Sequence, residues 1–154
     1  MSNNVNNIKK ELKSLSDPGQ KEVLSRFFKT GPGEYGEGDV FIGLKVPVLR
    51  QIAKKYQNIP LADSLSLLKS PIHEHRSVAL FIMTHVFQSG SEKVRQKVYE
   101  AYLRHTKHIN NWDLVDLSAY KIVGEHLLNK SRQDLYRLAE SKLLWERRIA
   151  IVST

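Results

Sequence analysis

The chain has 154 residues, 41% of them apolar and 26% charged, with five Pro, eight Gly and no Cys. A chain of this size buries roughly 70% of its unfolded surface on folding and needs no staples, and the lack of Cys excludes zinc ribbons, iron–sulfur sites, thiol nucleophiles and disulfide scaffolds and suits a reducing compartment. Lys and Arg outnumber Asp and Glu by 24 to 16, a net charge of +8 divided evenly between the two halves, so the excess lies on the folded body and fits either polyanion binding or simple solubility.

The first residues are polar and then basic, with no apolar run suited to a signal peptide or a membrane span, and a cytoplasmic location is expected. Residues 6–29 read as an opening helix that caps the units after it. Gly31-Pro32-Gly33-Glu34-Tyr35-Gly36 satisfies G-x-G-x-x-G, but a helix precedes it where the dinucleotide motif needs a strand. Glu34, Glu37 and Asp39 would also repel a pyrophosphate, so the stretch reads as a long loop between helices. Residues 72–87 set Ile72, Ala79, Ile82, Met83 and Val86 on one helical stripe, residues 92–109 do the same with Val94, Val98, Ala101, Tyr102 and Ile109, and residues 112–128 repeat the pattern. Breaks fall at Asn58-Ile59-Pro60, Ser70-Pro71, Gln88-Ser89-Gly90-Ser91, Ile109-Asn110-Asn111 and Asn129-Lys130-Ser131. No β-alternation competes, and the expected class is all-α.

The segments echo one another. Ser70-Pro71-Ile72-His73-Glu74-His75-Arg76-Ser77-Val78-Ala79-Leu80 lies on Ser141-Lys142-Leu143-Leu144-Trp145-Glu146-Arg147-Arg148-Ile149-Ala150-Ile151 with Ser, Arg and Ala matched and the apolar positions kept, at an offset of 71. Half that offset is close to one two-helix unit, which predicts a right-handed α-α superhelix, a solenoid of HEAT-like helical repeats, over residues 1–154 as a single domain. Residues 145–154 stop inside a helical pattern with no stop signal, so a repeat array cut short at its C-terminus is expected.

Few residues carry a chemical signal. His73-Glu74-His75 and the His105/His108 pair lack a third ligand at metal-binding spacing, so solvated or phosphate-facing histidines are the expectation. Lys93, Lys97, Arg104 and Lys107 follow one helix opposite its apolar stripe, a geometry that suits a phosphate backbone and equally an ordinary solvated face. In Asn110-Asn111-Trp112-Asp113-Leu114-Val115-Asp116, an Asn precedes the helix as a natural N-cap and Asp113 sits where the helix dipole favours a carboxylate. Asp116 has no such local reason, being one turn beyond Trp112 on a face that continues to Ala119 and Val123. Arg148 likewise interrupts an apolar stripe beside Ile149 and Val152. The two charges are one repeat apart, so stacked units would bring them together, either as a buried salt bridge in register or as a catalytic site.

At this level of detail the chain resembles the DNA alkylation repair proteins of the AlkD-like type, HEAT-repeat DNA glycosylases. The resemblance runs through Phe27-Phe28-Lys29-Thr30-Gly31-Pro32-Gly33-Glu34-Tyr35-Gly36-Glu37-Gly38-Asp39, Gly43-Leu44-Lys45-Val46-Pro47, Ser70-Pro71-Ile72-His73-Glu74-His75-Arg76, the Asn-Asn-Trp-Asp block at 110–113 and Leu144-Trp145-Glu146-Arg147-Arg148-Ile149-Ala150. It implies hydrolysis of the N-glycosidic bond of cationic N3- or N7-alkylated purines in double-stranded DNA, with Trp112, Asp116 and Arg148 as site residues. DNA contacts would come from Phe27, Lys93, Lys97, Arg104, Lys107, Trp145 and Arg147. It also implies no metal, no nucleotide cofactor, no deep base-flipping pocket and a monomeric intact protein. Phe27 stands where some members have a Tyr, and the sequence ends before the later repeat that supplies a further aromatic residue. The alternatives are a non-catalytic module that binds DNA by shape and charge, or a protein-binding scaffold.

Overall fold

The computed structural model describes residues 2–154. Among the described residues ten α-helices follow one another: α1 (Asn3–Ser14), α2 (Pro18–Phe27), α3 (Val46–Lys55), α4 (Leu61–Leu68), α5 (His73–Ser89), α6 (Glu92–Arg104), α7 (Trp112–Ala119), α8 (Glu125–Leu127), α9 (Gln133–Ala139) and α10 (Leu144–Val152). A 3-10 turn, Thr106–His108, follows α6, and a π-helical segment, Tyr120–Gly124, joins α7 to α8. Among the described residues there is no strand, only an isolated parallel bridge between Val40 and Ile72, so the all-α expectation holds. No described helix is long and apolar enough to cross a membrane. The chain forms two compact units, one ending at Ile82 and the other starting at Met83.

In the first unit, α1 buries Val5, Ile8 and Leu12 and packs on α4. The single helix expected over residues 6–29 is in fact two. The break falls at Ser16-Asp17-Pro18, where the Asp17 carboxylate accepts the N–H groups of Gly19 at 2.8 Å and Gln20 at 3.2 Å and so caps α2. Pro18 stands in the first turn of α2, where a backbone N–H is not needed.

The glycine-rich loop fills itself. Glu34 accepts the Gly31 N–H and Glu37 accepts the Gly33 N–H, each at 2.9 Å, so the loop's own carboxylates take the amides that a phosphate would use. At its end Asp39 enters a buried polar cluster with the start of α5. Its carboxylate lies 2.6 Å from His73 Nδ1 and accepts from Arg76 Nη2 at 2.8 Å. Burial alone would raise the Asp39 pKa, but the hydrogen bond and charge of His73, together with Arg76, bring it down to about 2. Glu74 accepts the backbone N–H groups of Ile42, Gly43 and Leu44 at 2.8–3.2 Å. Gly43 is required here: its φ is +92°, and a Cβ would lie 2.0 Å from the Asp17 carbonyl oxygen.

This cluster changes the reading of residues 72–87. Val78, Ala79, Leu80, Ile82 and Met83 are all fully buried, and so, nearly, are His73, Glu74, His75, Arg76 and Ser77. From His73 to Leu80 the helix is buried all round and has no single apolar stripe, and only beyond Leu80 does one side open, at Phe81, His85 and Val86. Its first turn is polar because those groups satisfy one another and the loop backbone.

In the second unit, α6 buries Val98, Tyr99, Ala101 and Tyr102, and α10 packs on both α9 and α7. The helix expected over residues 112–128 widens midway into the π segment. Just before it, the Ser118 hydroxyl donates to the Leu114 carbonyl at 2.6 Å, competing with the backbone N–H one turn on.

The internal echo has a structural counterpart. Ser70 Oγ accepts the Ile72 N–H at 3.2 Å and meets His75 Nδ1 at 2.9 Å, and Arg76 Nη1 donates to the Ser70 carbonyl at 3.1 Å. At the matched positions Ser141 Oγ accepts the Leu143 N–H at 3.0 Å and donates to Glu146 at 2.6 Å, and Arg147 Nη1 donates to the Ser141 carbonyl at 2.8 Å. Two helix starts are thus built by the same serine–arginine device, with His75 and Glu146 in equivalent roles.

Candidate active site

Asn111 is fully buried and its side chain accepts the Trp112 N–H at 2.9 Å, which starts α7 at the expected cap. From there Trp112 and Asp116 stand one turn apart on one helix face, with Leu114, Val115, Ser118 and Ala119 buried behind them. The back of α7 is fixed by Tyr102, whose hydroxyl lies 2.8 Å from Ser118 Oγ. Burial pushes the Tyr102 pKa up, which keeps the phenol a neutral donor to Ser118.

Helix α10 is pinned at both ends. At its start Glu146 accepts from Thr106 Oγ1 at 2.7 Å and from Ser141 Oγ at 2.6 Å. At its finish Ser153 Oγ donates to the Ala119 carbonyl at 3.3 Å, and Gly124 leaves room for the Ser153 backbone, which would lie 3.0 Å from a Cβ there. Between these anchors Arg148 meets Asp116 in a two-pronged pair, Nε to Oδ1 at 2.8 Å and Nη2 to Oδ2 at 2.6 Å. The bond to Asp116 raises the arginine's pKa further.

The meeting of Asp116 and Arg148 was expected from their spacing, but burial was not the outcome. The Arg148 side chain is 42% exposed and that of Asp116 36%. A pair this open contributes about 0–1 kcal/mol to folding, so it is a weak strut. What the geometry provides instead is a carboxylate of fixed orientation, open to solvent, one turn from an indole.

The remaining expected residues fall in different settings. Lys93, Lys97, Arg104 and Lys107 are all exposed, along α6 and the 3-10 turn after it. Glu100, which interrupts them, is engaged by Gln96 at 2.7 Å. Trp145 and Arg147 are partly buried in the first turn of α10, with Arg147 tied to Ser141. Phe27 belongs to the first unit, is 59% exposed, packs edge-on against Phe28, and accepts the Tyr35 hydroxyl on its carbonyl.

The histidines are drawn into local contacts. His105 Nδ1 donates to the Ala101 carbonyl at 2.7 Å, His73 joins Asp39 and stacks on Phe41, and His75 joins Ser70. Among the described residues no three His, Asp or Glu side chains are grouped as metal ligands.

Sequence reasoning missed the residues that hold this geometry: Thr106, Tyr102, Ser118, Glu146 and Ser153. Only Glu146 had a readable signal, its place five residues after Ser141 in the repeated device. A family model described as DNA alkylation repair enzyme matches residues 8–154. No curated protein matches the sequence. The match takes in nearly the whole chain, both helix starts and the Asp116–Arg148 pair, and the chain belongs to the DNA alkylation repair enzyme family.

Proposed function

We propose that the chain is a monofunctional DNA glycosylase that hydrolyses the N-glycosidic bond of cationic N3- or N7-alkylated purines in double-stranded DNA. The observation that carries this reading is the open, two-pronged Asp116–Arg148 pair beside Trp112. A cationic purine departs as a neutral base, so the enzyme's main task is to stabilise the electron-deficient sugar left behind. Asp116 supplies the opposing charge and positions the attacking water. Arg148 holds both carboxylate oxygens and keeps the charge aimed. The face of Trp112 attracts the cationic nucleotide.

Lys93, Lys97, Arg104 and Lys107 contact DNA phosphates in this reading, Trp145 and Arg147 are further DNA contacts of the second unit, and Phe27 is one of the first unit. The helix pairs are read as HEAT-like repeats of a right-handed superhelix, a reading supported by the serine–arginine device recurring at an offset of 71 residues. Incubation with duplex DNA carrying 7-methylguanine tests the activity. Release of free 7-methylguanine, leaving an apurinic site in an uncut strand, is expected. Binding without release by the folded chain would contradict the enzymatic reading and leave a DNA-binding module.

A further inference from the structure

The first unit holds a cavity of about 500 Å³ that the reaction above does not use, with Lys9, Lys13, Lys21, Ile42, Ile72 and His75 in its lining. Its lining is unusual in charge. Three lysines come from α1 and α2, no carboxylate is among the lining residues, and none of the three forms an ion pair with the described residues. Ile42, Ile72 and Pro18 supply apolar surface. Like charges are not gathered around a hollow for stability, since they repel one another unless an anion joins them.

His75 adds a second observation. It is 4% exposed, yet it lines the cavity. Ser70 Oγ accepts the Ile72 N–H and lies 2.9 Å from His75 Nδ1; with the serine hydrogen donated to Nδ1, the neutral ring carries its proton on Nε2. That Nε2 has no partner among the described residues. Burial, then the charges of Lys9 and Arg76, hold the His75 pKa down to about 4, so at neutral pH the ring is an uncharged N–H donor.

We propose that this cavity binds a phosphate-bearing ligand with an apolar body, the size of a nucleotide, its phosphate held by Lys9, Lys13 and Lys21 and met by the imidazole N–H of His75 on an apolar wall of Ile42 and Ile72. A phosphate dianion matches several lysines that act as point charges. The volume is within the roughly 300–1,000 Å³ of small-molecule sites. The same chemistry is offered by a free mononucleotide and by the 5′-phosphorylated end of a DNA strand.

The two sources separate in a titration of the full chain, followed by NMR, with deoxyadenosine 5′-monophosphate and, in parallel, with a 5′-phosphorylated single-stranded oligonucleotide and its unphosphorylated twin. Shifts of the His75 ring and of the Ile42 and Ile72 methyl groups on adding the mononucleotide assign the site to a free nucleotide. Shifts only with the phosphorylated oligonucleotide assign it to a strand end. The exposed-lysine double variant K13Q/K21Q should fold as the parent does and bind about tenfold more weakly. Absence of these shifts with every probe, an equal response to the unphosphorylated strand, or parental affinity in the double variant would overturn the proposal.

Discussion

Arg148 can hold Asp116 in place only because the arginine never gives up its charge and its planar fork matches both carboxylate oxygens. The sequence shows each of these residues as a charge out of place on its helix and supplies the spacing that pairs them. It does not show how exposed they are, because exposure depends on what packs around α7 and α10. The Asp39–His73–Arg76 cluster and the Glu74 contacts are harder to read, since a run of His, Glu, His and Arg resembles a solvated helix start until the loop that buries it is placed. That cluster and His75 give a pH prediction. The folded pKa of His75, about 4, lies below its unfolded 6.5, so its contribution to stability is full above 6.5 and lost as pH falls toward 4. Asp39, about 2 against an unfolded 3.8, contributes in full above 3.8 and loses its part as pH falls toward 2. At roughly 1.4 kcal/mol per pKa unit, the His75 shift is worth about 3–4 kcal/mol and the Asp39 shift about 2–3 kcal/mol. Denaturant midpoints measured from pH 7 to pH 2 should therefore fall in two stages, and D39N should lack the lower one; a flat profile down to pH 4 would contradict the His75 assignment.

At the scale of elements, local signals explain most boundaries. Asp17-Pro18 gives α2 its start, and the missed break there is a cap that periodicity alone cannot see. The widening at Tyr120–Gly124 had no signal, because it depends on Ser118 bonding back to Leu114 while Tyr102 bonds to Ser118 from another helix. The repeated serine at positions 70 and 141 was legible as a repeat, though its hydrogen bonds were not. S141A removes the bonds to Leu143 and Glu146 at the start of α10. A loss of about 1–2 kcal/mol is expected in equilibrium unfolding. Because Glu146 helps carry α10 and thus Arg148, base release should fall as well, and an S141A variant with parental stability and rate would contradict this role.

For the molecule as a whole, the net charge of +8 and the exposed line Lys93, Lys97, Arg104 and Lys107 make DNA affinity depend on salt. In the proposed reading, K93Q, K97Q and K107Q each take one cation away from the phosphate backbone. In a plot of log affinity against log salt concentration, each should therefore reduce the slope by about 0.9. An unchanged slope would mean that this face does not meet DNA. Composition made the chain a candidate for polyanion binding but could not tell a binding surface from a reacting one; that distinction rests on Asp116, and D116N tests it most directly. The amide keeps the shape of the carboxylate and loses its charge. Base release from 7-methylguanine DNA, DNA affinity and melting temperature should be measured together on parent and variant. The account predicts a loss of release of about 10²–10³-fold, with affinity and melting temperature close to those of the parent, as an exposed pair demands. Release at the parental rate, or a loss that simply follows unfolding, would contradict it.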